Sequence, residues 1–335
     1  MPSISLSPYS GRPLLDLVSL ARPGPGRRDR LGPSELAHIS RTVRRVPEVM
    51  VKVLSRGGQN LAAVRRHVEY LRNREEGELS LVTDDGQSLV GADVAQALLE
   101  DWDLDLEEHR RRSDLDAGVG RSAKLVHKLM FSMPKGTPAD KVFSAVQNFA
   151  REEFGLKHRY AMVLHTDEPH PHVHLVVKAV SESGVRLHIR KATLREWRHE
   201  FARQLRELGV AANATERAVR GGNRLSKSDG VYRSEKRGDS VRTRERAEAL
   251  SRYLHAGALP AEPGKETLLE TRRRVQQGWS AAAAILEAEG HPEIAAEARR
   301  FLREMGPPTT ARESLLKELR ENQRRTLKIE RPRVR

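Results

Sequence analysis

Four of the chain's thirteen histidines fall within ten residues, in the run His165-Thr166-Asp167-Glu168-Pro169-His170-Pro171-His172-Val173-His174. Imidazoles at this density suit metal binding. His172 and His174 are two apart in an apolar, β-branched segment. If that segment is a strand, both rings stand on one face, about 6–7 Å apart. His165 ends the apolar segment before them. The short proline-containing connection can return the chain so that the two strands pair antiparallel and His165 joins the same face. Three neutral imidazoles can then share one divalent ion at roughly 2.1 Å per bond, with coordination positions left over, as in a catalytic rather than a structural site. His170 lies in the connection, where strand alternation gives it no fixed face. It reads as a supporting or substrate-contacting residue. Asp167 can hold the N–H of a ligand histidine and fix its tautomer, or it can cap the turn.

The rest of the composition narrows the chemistry. The chain has 335 residues and no cysteine. That excludes disulfides, a cysteine-ligated zinc site, an iron–sulfur cluster and a thiol nucleophile. There is no GxxxxGK[ST], so nothing points to a P-loop ATPase. The formal net charge is +14, which directs attention to a polyanion, nucleic acid first. The charge is uneven: about +9 over residues 1–74, −11 over 75–116 and +16 over 117–335. One basic working surface and one face turned away from the polyanion are expected. By ligand softness three histidines suit zinc, nickel or copper. If DNA phosphate oxygens complete the shell, magnesium or manganese suits as well. No apolar run approaches the roughly 18–20 residues of a membrane span, and no secretory signal is evident. A soluble, cytoplasmic protein is the expectation.

The elements that must position these residues can be read in outline. Residues 1–45 carry six prolines among Gly and Arg and read as a disordered basic extension. With hydrophobic residues at 38%, some tail or linker is expected. Residues 49–56 read as a strand. Leu61, Val64, Val68 and Leu71 place a helix over 59–74. Residues 78–90 read as a hairpin turning at Asp85-Gly86, and 91–100 as a helix. Residues 124–134 form a second apolar strand. An amphipathic helix follows over 138–154, with Pro138 in its first turn. After the two histidine strands comes a helix over 193–208, with Thr193 as N-cap and Gly209 past its end. From Asn213 the chain turns polar, basic and Gly-rich. Helices return at about 241–256, 266–289, 291–304 and 311–327.

The run H-x-D-x-x-H-P-H-x-H resembles motif III of the MobP-type conjugative relaxases, single-tyrosine HUH endonucleases that include a T-DNA border nickase. Upstream, residues 130–155 resemble motif II and its helix. Residues 67–79, "HVEYLRNREEGEL", are similar to motif I, which carries the nucleophilic tyrosine. Residues 203–221 resemble the end of the catalytic domain. The resemblance spans about residues 46–222. The family tyrosine usually lies nearer the chain start, which makes 1–45 look like an extension, and the region after 222 matches nothing comparable.

The resemblance implies an α+β fold: a central, mostly antiparallel sheet of about five strands, helices on one face, the histidines on the other, and a helical basic region over 223–335. It implies that Tyr70 attacks a phosphodiester at an origin of transfer, leaving a 5′-phosphotyrosine and a free 3′-OH. One divalent ion, magnesium or manganese with zinc or nickel as alternatives, would sit on His165, His172 and His174, with Asp167 and His170 in support. Among five tyrosines, Tyr9 lies in the extension, Tyr160 suits sheet packing, and Tyr232 and Tyr253 lie beyond the catalytic segment. Ser132, Lys135, Arg217 and Arg220 are candidates for DNA phosphate contact. Aromatic residues at 4% leave little room for extensive base stacking. Single-stranded DNA, relaxosome accessory proteins, a type IV coupling protein and passage with the DNA through a secretion channel follow from the resemblance alone. The rivals are a metal-dependent DNA hydrolase, an HUH replication initiator, and a non-enzymatic DNA-binding relaxosome protein with a structural metal.

Overall fold

The computed structural model describes residues 31–54, 58–72, 79–116, 124–222, 240–255 and 264–329, with the single residues 234, 237 and 262. In chain order the elements begin with α1 (Pro33–Val43), β1 (Met50–Val53), α2 (Leu61–Arg72), β2 (Leu81–Thr83) and β3 (Ser88–Leu89). Next come α3 (Val94–Asp101), α4 (Leu104–Asp116), β4 (Val126–Ser132), α5 (Ala139–Phe154), β5 (Tyr160–His165) and β6 (His172–Lys178). The series ends with α6 (Lys191–Glu207), α7 (Val241–His255), α8 (Lys265–Ala288), α9 (Pro292–Arg303) and α10 (Ala311–Ile329). The chain divides into two compact units: Arg45–Ala214, and Met1–Arg44 together with Thr215–Arg335.

The first unit is α+β. Six strands form one sheet in the order β1-β4-β6-β5-β2-β3, and every ladder in it is antiparallel. The two inner strands beside β6 make its longest pairings, seven residues with β4 and six with β5. β6 is buried along its whole length. A strand buried on both faces needs cover on both faces, and the sheet has it. Leu129, Phe131, Met162, Val173, Leu175 and Val177 belong to one core with Val142, Val146 and Phe149 of α5 and Trp197 and Phe201 of α6. The opposite residues of the same strands, Val126, Ala161, Val163 and Val176, belong to another, with Val64, Val68 and Leu71 of α2 and Leu98 and Leu99 of α3. The sequence led us to expect about five strands and helices on one face. The structure has six strands and helices on both, because the histidine face is apolar for most of its length.

Several local expectations are met. Val64, Val68 and Leu71 are the buried stripe of α2, and the β2–β3 hairpin turns through Asp85-Gly86, with Gly86 at φ +84°. Tyr160 is a core residue. Thr193 is not the N-cap of α6. The helix starts earlier, at Lys191, and the Thr193 hydroxyl accepts from the Arg190 N–H at 3.3 Å. Helix α4 has no apolar stripe to announce it.

The second unit is helical. Its core joins Ile39 and Val43 of α1 to Val219, Val275, Trp279, Ala283, Ala295 and Phe301. Helix α1 falls within the segment that the prolines made look like a tail. Pro33 instead occupies the first turn, where its missing N–H goes unnoticed, and the Glu35 carboxylate takes the Gly32 N–H at 2.8 Å. Among the described residues no helix is long and apolar enough to cross a membrane.

Candidate metal centre

Antiparallel register brings three of the predicted residues together. His165 at the end of β5 lies directly opposite His172 at the start of β6, and His172 lies opposite Ser132 of β4. Directly opposed residues share a face, so Ser132, His172 and His165 form one row across three strands. His174 begins the next row, between Met130 and Val163. All three histidines are buried. Their ring centroids are 4.8–5.3 Å apart, and one nitrogen from each falls within 4.8 Å of the others. Tetrahedral bonds of about 2.1 Å need nitrogens about 3.4 Å apart, which small ring rotations supply. The donor set therefore fits one divalent ion.

Backbone carbonyls set the tautomers. A carbonyl only accepts, so the nitrogen facing one must carry the proton. His165 donates from Nε2 to the Leu71 carbonyl at 2.7 Å, which leaves Nδ1 with the lone pair. His172 donates from Nδ1 to the His170 carbonyl at 3.1 Å, which leaves Nε2. Fixing a ligand ring through its other nitrogen is the usual way a protein orients such a site.

Two residues that sequence reasoning passed over border the triad. His67 lies on the inward face of α2 with Val64, Val68 and Leu71, and its ring centroid is 6.2 Å from that of His174. Burial, with Lys128 and His165 adding to it, pushes its pKa down to about 3, so the imidazole is neutral. Lys128 of β4 projects from the same sheet face as Ser132, and is itself buried. Burial, then the charge of Lys124, lowers its pKa to about 8. The helical spacing of His67 with Val64, Val68 and Leu71 was visible in the sequence. The alternation placing Lys128 on Ser132's face was visible too. Lys128 lies just before the segment that resembles motif II, whereas His67 is the first residue of the segment similar to motif I.

The other candidates are distributed differently. Tyr70 is half exposed on α2, one residue before the carbonyl that holds His165. Asp167 and His170 are exposed in the β5–β6 connection. Lys135 is exposed just past β4, and Ser132 is buried. Arg217 and Arg220 are exposed and belong to the helical unit.

Comparison with known proteins bears on the same segment of the chain. Residues 70–210 match the family model "Relaxase: MobA/VirD2-like, nuclease domain", and the comparisons support a relaxase of the MobA/VirD2 type. Among curated proteins, the chain is 25% identical over 185 residues to the T-DNA border endonuclease VirD2 of Rhizobium radiobacter, covering 52% of this chain and 43% of that protein. It is 24% identical over 185 residues to VirD2 of Agrobacterium fabrum, covering 52% and 41%. A third VirD2, from Rhizobium rhizogenes, is 24% identical over 136 residues, covering 39% and 30%. The chain thus spans less than half the length of these relatives. No solved structure matches.

Proposed function

We propose that this protein nicks one strand of DNA by transesterification: the Tyr70 hydroxyl oxygen bonds to phosphorus, the 3′ oxygen leaves, and the strand stays on the protein as a 5′-phosphotyrosine. The observation that carries the reading is the 2.7 Å bond from His165 to the Leu71 carbonyl. It ties the end of the tyrosine helix to the histidine triad, one residue from Tyr70. Because the ester keeps the phosphodiester's energy, the cut can be resealed without ATP.

His165, His172 and His174 would hold one divalent ion, magnesium or manganese where phosphate oxygens complete the shell. Bound there, the ion would polarise and orient a non-bridging phosphate oxygen. The chain's own residues do the rest. Backbone carbonyls aim the His165 and His172 imidazoles, and α2 and β4 wall the site with apolar side chains. Tyr70, on the exposed side of α2, is open to a strand. Ser132, in the His172 row, and Lys135, exposed just past β4, would contact phosphates. By the same reading the nick falls at an origin of transfer, with relaxosome accessory proteins and a coupling protein as partners.

Supercoiled plasmid bearing candidate origins, incubated with protein and manganese and run with and without protease, tests the proposal. Expected is a nicked species that resists SDS, yields to protease and is joined to protein through its 5′ end. Free 5′-phosphate ends without an adduct would establish a hydrolase instead. Binding without any nick would establish a DNA-binding module.

A further inference from the structure

Lys128 and His67 stand beside the triad, and among the described residues the Lys128 ammonium and His67 Nε2 have no hydrogen-bond partner. Lys128 is only 6% exposed. Among the described residues no ion pair or hydrogen bond of its ammonium is found, and that nitrogen is not among the atoms sealed from solvent. His67 Nε2 is sealed from solvent and has no hydrogen-bond partner. A largely buried lysine without a counter-charge is unfavourable in the free protein, and so is an unmade buried hydrogen bond. Evolution could have filled both places with apolar side chains, since Val126 and Val176 on the strands and Val64 and Val68 on α2 are their neighbours in register and on the helix. Two uncommitted groups, one cationic and one able to donate, on the same flank of one site describe a receptor for an anionic oxygen.

The position limits what that oxygen can belong to. Lys128 pairs with Val176, and two residues along the same strand Met130 pairs with His174. At about 3.3 Å per residue, Lys128 stands roughly 6–7 Å from the His174 row, on the side away from His165. His67 bridges the gap, its ring edge-on to that of His174.

We propose that Lys128 and His67 form a second anion subsite, which takes a phosphodiester oxygen of the DNA strand lying across the triad. The ammonium supplies charge and the imidazole Nε2–H donates to the oxygen. The proposal rests on the reading that the triad works on DNA. It adds two residues, Lys128 outside the motif segments and His67 at the start of the motif I segment, that would fix the strand's register.

The test measures binding of a short single-stranded oligonucleotide to the full chain, in chelator so that nothing is cut, over a range of salt. Neutralising one phosphate contributes about −0.7 to the slope of log affinity against log salt. Lys128→Met should reduce the slope's magnitude by about that amount and weaken low-salt binding by about tenfold or more. Lys128→Arg should restore both. His67→Leu should weaken binding with the slope unchanged, because a neutral donor displaces no counterion, and His67→Gln should recover part of the loss. Manganese affinity, read separately on each variant, should stay at the parent value and reports an intact triad. If Lys128→Met and His67→Leu keep parental slope and affinity with the triad intact, the subsite is overturned and both residues are packing alone. If the parent binds no oligonucleotide at any salt, the DNA reading fails and takes the subsite with it.

Discussion

Arg272 in the helical unit and Lys128 in the sheet unit are equally buried cations, each 6% exposed, yet they are held in opposite ways. Arg272 donates to the carbonyls of Gly306 at 2.8 Å and Gly221 at 2.5 Å. Beside it the Trp279 N–H donates to Val219 O at 2.9 Å, and the Thr42 and Thr215 hydroxyls meet at 2.7 Å. These polar groups join segments far apart in sequence, and each contact ends on protein. Among the described residues Lys128 ends on none, and neither does His67 Nε2. Equal burial therefore carries two meanings. In the helical unit it is structural cross-linking. At Lys128 it is reserved capacity, unfavourable in the free protein and useful only when something binds, whereas Lys178, equally buried further along β6, is paired with Glu182.

The largest effect that could break this contrast concerns the tyrosine. Tyr70→Phe should lose the covalent adduct entirely while changing stability by no more than about 0.5 kcal/mol, because the side chain is half exposed. Mass spectrometry of the parent adduct should place the nucleotide on the peptide containing Tyr70. A nucleotide on buried Tyr160 would refute the assignment. Next, His172→Ala/His174→Ala should abolish manganese binding and, with it, the metal-dependent rise in melting temperature. That rise reflects about 2.7 kcal/mol at a hundredfold excess over Kd. A double variant still stabilised by manganese would move the ion elsewhere.

Two substitutions of the same kind then set the units against each other. Arg272→Met strands two carbonyls inside the helical unit and should destabilise by about 2–3 kcal/mol in urea unfolding. Lys128→Met removes an uncommitted charge from an apolar wall and should be neutral or stabilising by about 1 kcal/mol. The parent's pH dependence carries the same sign. Lys128 titrates at about 8 folded against 10.5 as a free side chain, so between those values the unfolded chain holds more protons and stability rises with pH. Lys128→Met should lack that rise. Equal losses for the two variants would erase the distinction between structural and reserved burial.

How far the sequence revealed this site follows from the range of the contacts involved. The triad was legible because its three members lie within ten residues and strand alternation fixes their faces. The bond from His165 to Leu71 was not, because it joins residues 94 apart, and no local pattern records a backbone carbonyl. His67 and Lys128 sit on faces that periodicity could assign. Their proximity depends on α2 packing over β4, which is tertiary. Helix α1 was hidden by six nearby prolines, though only Pro33 bears on it. Helix α4 was hidden by its charge: an element without an apolar stripe gives periodicity nothing to find. A chain cut where the resemblance ends, after Gly222, fails for a similar reason. It would keep Ile39, Val43 and Val219 while removing their partners Trp279 and Phe301. A chain of residues 45–214 is the better fragment for testing metal binding alone.

A third kind of polar cluster gives the smallest effect. On α5 and α6, away from the histidine face, Arg203 meets Glu152 and Glu207 at 2.5 Å and also pairs with Glu200. Glu152 and Glu207 are more than half exposed, so this is neither buried cross-linking nor reserved capacity. Exposed pairs contribute about 0.2–1 kcal/mol. Arg203→Met should fall near the top of that range, because three carboxylates lose one shared cation. Partial burial works to raise the Glu152 pKa, but the Gln204 and Arg203 side chains outweigh it and hold the carboxyl below its usual 4.5. A depressed carboxyl stabilises above its unfolded pKa, and the contribution fades as pH falls through the folded value. The parent should therefore lose this increment below about pH 4.5, whereas Arg203→Met, lacking it already, should show a shallower acid limb. The difference should shrink in high salt, since exposed charges are screened. If the two acid limbs coincide, the network adds nothing measurable. A loss well above 1 kcal/mol at neutral pH would instead place Arg203 with Arg272, as a structural cross-link that its exposed partners conceal.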